Sequence, residues 1–375
     1  MKKLKAMTVV GTRPEIIRLS RVIAACDRHF DHVLVHTGQN WDPKLSAVFF
    51  EELGIRRPDH FLESPGKHLG ETIGNIISRS YEVFRKERPD ALLVLGDTNS
   101  ALCAIPAKRL KIPIFHMEAG NRCFDQNVPE EINRRLVDHV SDVNLPYTEH
   151  SRRYLLSEGI RKEHVFVTGS PMAEVLEHYR PGIEASRVLE KLGLARGGYV
   201  LVSAHREENL DIDENLEALA GSLNAVAKEF RRPVVYSMHP RARQRIRRKG
   251  IRLDRRIRTL EPFGFFDYNK LQMNAFCVLS DSGTLSEESS MLGFPAVLIR
   301  TSTERPEVLE KGSMVVGGIH PDGVLRAVRL ARRTFEEGPP PPRPADYLDT
   351  NVSSKVVKVI ESYVKVIDRF VWMKR

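Results

Sequence analysis

At 375 residues the chain exceeds the size at which one core keeps growing, so two domains of roughly 150–200 residues are expected. Its 41% hydrophobic content is ordinary for a folded protein, no apolar run reaches the ~20 residues of a membrane span, and the start MKKLKAMTVVG reads as a first strand rather than a signal peptide. The net charge of +9 suits an anionic ligand, and four cysteines without metal-ligand spacing (Cys26, Cys103, Cys123, Cys277) fit a reduced, cytoplasmic protein.

Short apolar runs alternate with longer helical patterns from end to end. Strands are expected over residues 5–10, 32–37, 91–95, 114–117 and 165–167. A second series covers 199–203, 233–238, 276–279, 296–299 and 314–316. Helical patterns lie between them at 15–28, 71–86, 130–140, 215–229 and 322–335. This alternation predicts an α/β protein of parallel sheets with helices on both faces. The two series predict two similar domains, residues 1–170 and 171–350, with the boundary in the stretch 170–200. The proline segment 336–347 (EEGPPPPRPADY) cannot continue a helix. The amphipathic segment 356–371 needs an apolar surface, and a C-terminal helix at about 351–375 is expected to cross back and complete the first domain.

The motifs lie where strands end and helices begin, which is where open α/β sheets bind ligands. Gly11-Thr12-Arg13-Pro14-Glu15 follows the first strand. The glycine permits a tight turn and the proline suits a first helical position. Arg13 offers a fork for phosphate oxygens beside a helix start. The competing reading is an ordinary turn whose arginine pairs with a nearby acid. Gly96-Asp97-Thr98-Asn99 follows the strand ALLVL. Asp97 stands where a catalytic carboxylate would, or it caps the next helix. In IFHMEAGNRCFDQNVPEEINRR, residues 114–135, an apolar run ends at Glu118, and Pro129, Glu130 and Glu131 open a helix. Carboxylates gathered in this way are equipment for moving protons. Acids in a first helical turn also favour the helix dipole by ~0.3–1 kcal/mol, the plainer role for Glu130 and Glu131.

In the second series His205, within Ala204-His205-Arg206-Glu207-Glu208, is a candidate for proton transfer or phosphate binding; the alternative is a histidine bonded to loop backbone. Ser280-Asp281-Ser282-Gly283-Thr284 offers hydroxyls and closely approachable backbone to a diphosphate. Leu285, Glu288 and Leu292 then share a helix face. An acid on an apolar face needs partners. A ribose diol would give Glu288 two of them, and backbone N–H groups are the alternative. His116 and Glu118 form an H-x-E, but the Pro-Cys-x-x-Cys partner of a zinc deaminase is absent. No H-E-x-x-H, G-x-S-x-G, Walker sequence or G-x-G-x-x-G occurs, so neither a metal nor a tightly held nicotinamide is expected. The basic run 231–258 admits a nucleic-acid reading. It lacks interleaved aromatics for base stacking, and a solvated helix face without a nucleic-acid partner is expected instead.

Together these pieces resemble the non-hydrolysing UDP-N-acetylglucosamine 2-epimerase family. GTRPEIIRLS, GDTNS, HMEAGNR, VPEEINRR, VTGSP, AHREEN, DSGTLSEE and TERPE occur in that family's order, from Met7 to about Gly317. The resemblance implies a glycosyltransferase-B fold, in which two Rossmann-like domains face each other across a cleft. It implies a UDP-sugar substrate, no cofactor and a homodimer. It further implies catalytic roles for Asp97, Glu118, Glu130 and His205, and UDP binding by Arg13, Arg18, His205, Ser282, Gly283 and Glu288. The segment GNRCFDQNVPEE resembles a branch that inverts C2 of UDP-2-acetamido-2,6-dideoxy-L-talose, giving UDP-N-acetyl-L-fucosamine for surface polysaccharide such as O-antigen or capsule. Members that interconvert UDP-GlcNAc and UDP-ManNAc usually read leucine–arginine–threonine–glycine–aspartate where this chain has Asn121-Arg122-Cys123-Phe124-Asp125. Arg18 replaces a frequent lysine, and Thr284 a common glycine. Gln39-Asn40-Trp41 replaces the glutamine–histidine–arginine of an allosteric UDP-GlcNAc site, so such activation is not expected here.

The C2 proton of such a sugar is not acidic in the ground state, and breaking the anomeric C–O bond first makes it so. The implied route is elimination of UDP to a 2-acetamidoglycal and re-addition from the other face. It needs a base and an acid on opposite faces of C2, and cations at the departing UDP. Domain closure on the nucleotide would retain the intermediate. Three rival readings remain. A glycosyltransferase of the same fold needs an acceptor, a hydrolysing epimerase releases free sugar, and an RNA-binding protein would bind through the basic run in a salt-dependent way.

Overall fold

The computed structural model describes residues 3–39, 49–301, 303–339 and 342–374; Asn40 and Trp41 lie outside these. The chain divides into two units, Met1–His178 with Leu348–Arg375, and Tyr179–Tyr347. In the first unit six strands form one parallel sheet. They are β1 (Lys5–Val10), β2 (Asp31–His36), β3 (His60–Phe61), β4 (Ala91–Leu95), β5 (Ile114–Met117) and β6 (Val143–Leu145). Their order is β3-β2-β1-β4-β5-β6. The second unit has β7 (Val200–Ser203), β8 (Val234–Ser237), β9 (Ile257–Leu260), β10 (Cys277–Ser280), β11 (Ala296–Leu298) and β12 (Val315–Val316). Read from its other edge, its order is β9-β8-β7-β10-β11-β12, the same as the first. In each unit the chain builds outward from its first strand, then returns to that strand's free side. The topological switch point, where such sheets bind ligands, therefore lies between β1 and β4 and between β7 and β10.

Parallel strands covered on both faces read as continuous apolar runs, and β4 is buried along its whole length. Met7, Val9, Leu92, Val94 and Ile114 pack with Phe84, Ala104 and Val137 from covering helices. Val200, Val202, Leu279 and Val297 pack likewise with Leu219, Leu223 and Val328. The structure departs from the sequence expectation at sheet edges. Val165 forms only an isolated bridge to Asn144, and the sixth strand is Val143–Leu145 instead. β3, β6 and β9, for which the sequence carries no clear signal, are all edge strands.

The helix Val352–Phe370 turns Val356, Ile360, Val364 and Ile367 inward at helical spacing and packs on the helix Arg13–His29 of the first unit. The helix Pro171–Ala185, with Pro181 in its interior, carries the chain from one unit into the other. Part of the basic run is engaged in ion pairs. Arg241 and Arg245 pair with Asp211, Lys249 with Asp213, and Arg243 with Glu261. Among the described residues no helix is long and apolar enough to cross a membrane.

Candidate active site

β5 ends at Met117, and Glu118 follows with a left-handed backbone, φ +63°. A non-glycine residue held there costs ~1–3 kcal/mol and persists only where its surroundings over-determine it. Here they do. Gly120 is left-handed as well (φ +81°), and any Cβ on it would collide with the Ser151 carbonyl. Beneath the turn the buried Asp138 accepts from the Gly120 N–H at 3.1 Å and from Arg122 at 2.7 Å. Arg122 also pairs with Glu158 and holds that carboxyl down at about 2. His116 lies with Nδ1 3.0 Å from Asp138 and donates from Nε2 to the Gly96 carbonyl at 2.8 Å. This buried network ties the end of β5 to the end of β4. It aims the Glu118 carboxylate at Arg18, its buried ion-pair partner on the first helix. The amide of Asn121 faces the other carboxylate oxygen at 3.4 Å. Gly96 is so near that a Cβ there would lie 3.1 Å from Glu118 Oε2.

Asp97 comes next. Its carboxylate pairs with Arg134 at 2.7 Å, and its carbonyl accepts from Asn133 at 3.0 Å. Asp97 does not cap the following turn; the Thr98 hydroxyl does so, accepting from the Ser100 N–H at 3.2 Å. Asn133 and Arg134 belong to the helix Pro129–Val140. Glu130, three and four residues before them, shares their face. Asp97 and Glu118 therefore lie at the neighbouring ends of β4 and β5, and Glu130 stands in the first turn of the helix that supplies the partners of Asp97. Glu130 is half-buried, and among the described residues no hydrogen bond or ion pair holds its side chain. Glu131 is buried and accepts from Arg134, Arg135 and the Cys123 N–H, each at 3.1 Å. It fastens the loop that precedes the helix.

Arg13 and Arg18 occupy different surroundings. Arg18 sits with Glu118, whereas the half-buried Arg13 stands 5.8 Å from the centre of the Phe49 ring. At the same helix start the buried Glu15 accepts from the Gly11 N–H (3.1 Å), the Thr12 hydroxyl (2.7 Å) and the Thr98 hydroxyl (3.1 Å). The chain's own acid thus takes an N–H that an incoming anion would seek. Burial pushes the Glu15 carboxyl up to about 7. Gly11 supplies space rather than a turn, since a Cβ would collide with the Ser100 and Thr37 hydroxyls.

The second unit is built around Asp281, fully buried just beyond β10. Its carboxylate accepts from the N–H groups of His205 and Arg206, each at 2.9 Å, and from Asn209 at 3.1 Å. These bonds pin the end of β7 to the end of β10. His205 is half exposed, with Nδ1 turned towards Asp281 at 3.4 Å. The Ser282 and Thr284 hydroxyls stand 2.9 Å apart at the start of the helix Thr284–Leu292. A Cβ on Gly283 would lie 2.5 Å from Glu304 Oε1. Glu304 in turn pairs with Arg300 at 2.9 Å and with Arg206 at 3.4 Å. Two guanidinium groups, two hydroxyls and a helix start therefore converge, the surroundings that suit a diphosphate. Glu288, buried on that helix, accepts from a side-chain amide: Gln272 donates to it at 2.6 Å.

Carboxylates gather at one switch point, and cations with hydroxyls at the other. Residues 24–361 match the protein family described as UDP-N-acetylglucosamine 2-epimerase. The chain belongs to that family. The UDP-2,3-diacetamido-2,3-dideoxy-D-glucuronate 2-epimerase of Pseudomonas aeruginosa is 35% identical over 334 residues, 88% of this chain and 92% of that one. The structure of UDP-N-acetylglucosamine 2-epimerase from Rickettsia bellii is 47% identical with TM-score 0.91, over 99% of this chain and 100% of that one. That of UDP-GlcNAc 2-epimerase from Methanocaldococcus jannaschii, in complex with UDP-GlcNAc and UDP, is 31% identical with TM-score 0.89, over 96% and 99%. UGT2 of Phytolacca americana, at 12% identity and TM-score 0.56 over 96% and 100%, shares the fold alone. The two parallel sheets are thus those of a glycosyltransferase-B-like fold. As a member of the epimerase family the chain is an isomerase of sugar nucleotides.

Asp281, Arg206, Glu304, Asn133 and Arg134 stand inside the motifs read from the sequence but are given no part there, and Arg300 lies outside them. Asp281 carried the available signal, an acid directly after a buried strand and before a glycine. Of the two arginines that meet Glu304, Arg300 lies four residues before it, but Arg206 is 98 residues away and no spacing rule brings it there.

Proposed function

We propose that the enzyme inverts C2 of a UDP-N-acetylhexosamine by a two-step elimination and re-addition. The anomeric C–O bond breaks with its electron pair leaving on UDP, and a base takes the C2 proton, giving a 2-acetamidoglycal. UDP then returns to C1 while an acid delivers hydrogen to the opposite face of C2. The observation that carries this reading is the Glu118 turn, a carboxylate held in a strained backbone beside Gly96-Asp97 and opposite Arg18. Asp97, Glu118, Glu130 and His205 are the proposed acids and bases. Arg13, Arg18, His205, Ser282 and Gly283 hold the diphosphate and stabilise the charge it gains on leaving. Glu288 reads the ribose. On this reading residues 1–170 with 351–375 carry the chemistry and 171–350 the nucleotide, in a cytoplasmic homodimer.

For the sugar we propose UDP-2-acetamido-2,6-dideoxy-L-talose, converted to UDP-N-acetyl-L-fucosamine for surface polysaccharide. Support comes from Asn121, one of the three residues, with Cys123 and Phe124, that depart from the common family wording. Its amide faces Glu118, and its carbonyl accepts from Ser151 at 3.0 Å. A second reading, interconversion of UDP-GlcNAc and UDP-ManNAc, is favoured by the names of the Rickettsia bellii and Methanocaldococcus jannaschii structures. Incubation with each sugar nucleotide in deuterated water, followed by NMR of the product, tests both levels. Turnover of the L-talo substrate with deuterium at C2 is expected. Turnover of UDP-GlcNAc alone would overturn the sugar, and retention of the original C2 hydrogen would overturn the route.

A further inference from the structure

Gln272 lies on the helix Phe265–Asn274 and is completely buried. Its amide nitrogen is 2.6 Å from Glu288 Oε2. A carboxylate only accepts, so the nitrogen end of the amide must face it, which fixes the orientation of Gln272. The other end, Oε1, is buried, and among the described residues no donor reaches it. A buried acceptor left without a donor costs stability that an apolar side chain of similar volume would not. The compensating gain is at Glu288, a buried acid that needs a donor to stay oriented.

The helix that presents Gln272 is itself fixed beneath the switch point. The half-buried Tyr268, one turn earlier on the same face, hydrogen-bonds Ser203 and Ser280 at the ends of β7 and β10. The carbonyl of Leu271 accepts from the Tyr199 hydroxyl at 2.6 Å. The amide is thus held rigidly against the strand ends from which the Glu288 helix departs.

We infer that Gln272 is a positioning residue for ribose recognition: its amide locks the Glu288 carboxylate so that the other side of that carboxylate accepts from the nucleotide's vicinal hydroxyls. This rests on the reading that the second unit binds UDP and that Glu288 meets the ribose. Gln272 itself does not touch the nucleotide.

The test is titration calorimetry of UDP, 2′-deoxy-UDP and 3′-deoxy-UDP against the full-length wild type, Gln272→Leu and Gln272→Asn. Wild type should prefer UDP over either deoxy form. In Gln272→Leu the Kd for UDP should rise about tenfold, with the deoxy forms nearly unchanged, so the preference collapses. Gln272→Asn keeps the amide but withdraws it from Glu288, and should behave like the leucine variant; it serves if Gln272→Leu does not fold. With the sugar nucleotide, KM should rise and kcat stay, as for loss of uniform binding. A purely structural role predicts equal weakening of all three ligands, and that result would overturn the inference. Undiminished preference for UDP in either variant would overturn it too, leaving the ribose reading intact. A wild type that binds the deoxy forms as well as UDP would instead overturn the ribose reading, and the role of Gln272 with it.

Discussion

At the end of β4, Asp97 meets an arginine brought in by another helix, and Glu118 meets Arg18. At the end of β10, Asp281 is consumed inside the protein, its carboxylate spent on the backbone of His205 and Arg206. The first arrangement leaves two carboxylates at the strand ends, with the half-buried Glu130 in the first turn of the helix that supplies Arg134. The second leaves a histidine, two hydroxyls and arginines there. Both sheets share one strand order, so topology fixes where the two sites lie but not what they do. Chemistry enters through the few side chains that follow each strand.

The division between a proton-moving unit and an anion-holding unit can be broken most directly at Glu118. Glu118→Gln should lower kcat by about 10²–10⁴, the usual worth of a positioned acid or base. UDP affinity by calorimetry should change little. Near-normal turnover would remove Glu118 from the chemistry and leave the first switch point without its centre.

A second test concerns the acid that closes the helix start of the first unit. The folded Glu15 carboxyl titrates at about 7 against an ordinary 4.5, raised by burial. Below the ordinary value both folded and unfolded chains are protonated and the stability is fully present. As pH rises towards 7 the unfolded chain sheds this proton more readily than the folded one, so stability falls and then levels off. The total is on the order of 3 kcal/mol. Glu15→Gln should remove this slope and be the more stable protein at pH 8, as measured by urea midpoints across that range. Parallel pH profiles for the two proteins would count against a buried, proton-holding Glu15.

Gly283→Ala sharpens the comparison from the other side. The new Cβ, 2.5 Å from Glu304 Oε1, must displace that carboxylate from its arginines. UDP should bind about tenfold more weakly, while the Kd of a glycal lacking the nucleotide should not move. The smallest effect is expected at Asp211→Asn, which weakens the ion pairs of Arg241 and Arg245 while leaving Arg245 its pair with Asp213. Stability should change by about 0–1 kcal/mol, and salt-dependent RNA binding by gel shift should be absent in wild type. Strong RNA binding by the wild type would revive the nucleic-acid reading of the basic run.

The α/β alternation and the central strands are legible along the chain, because strands buried on both faces must be apolar throughout. β4 and β5 are legible to the residue for that reason. Edge strands pair on one side only and need no such run, so β3, β6 and β9 escape notice, the last inside a stretch of arginines. Glycines, acids and hydroxyls after each strand were equally visible, since local chemistry is written in local order. Their partners arrive from elsewhere in the fold. Arg18 reaches Glu118 across 100 residues, Arg134 reaches Asp97, and Gln272 reaches Glu288. Such pairings depend on how strands order and helices pack, and no periodicity along a chain encodes which distant side chain fills the remaining place beside a buried charge.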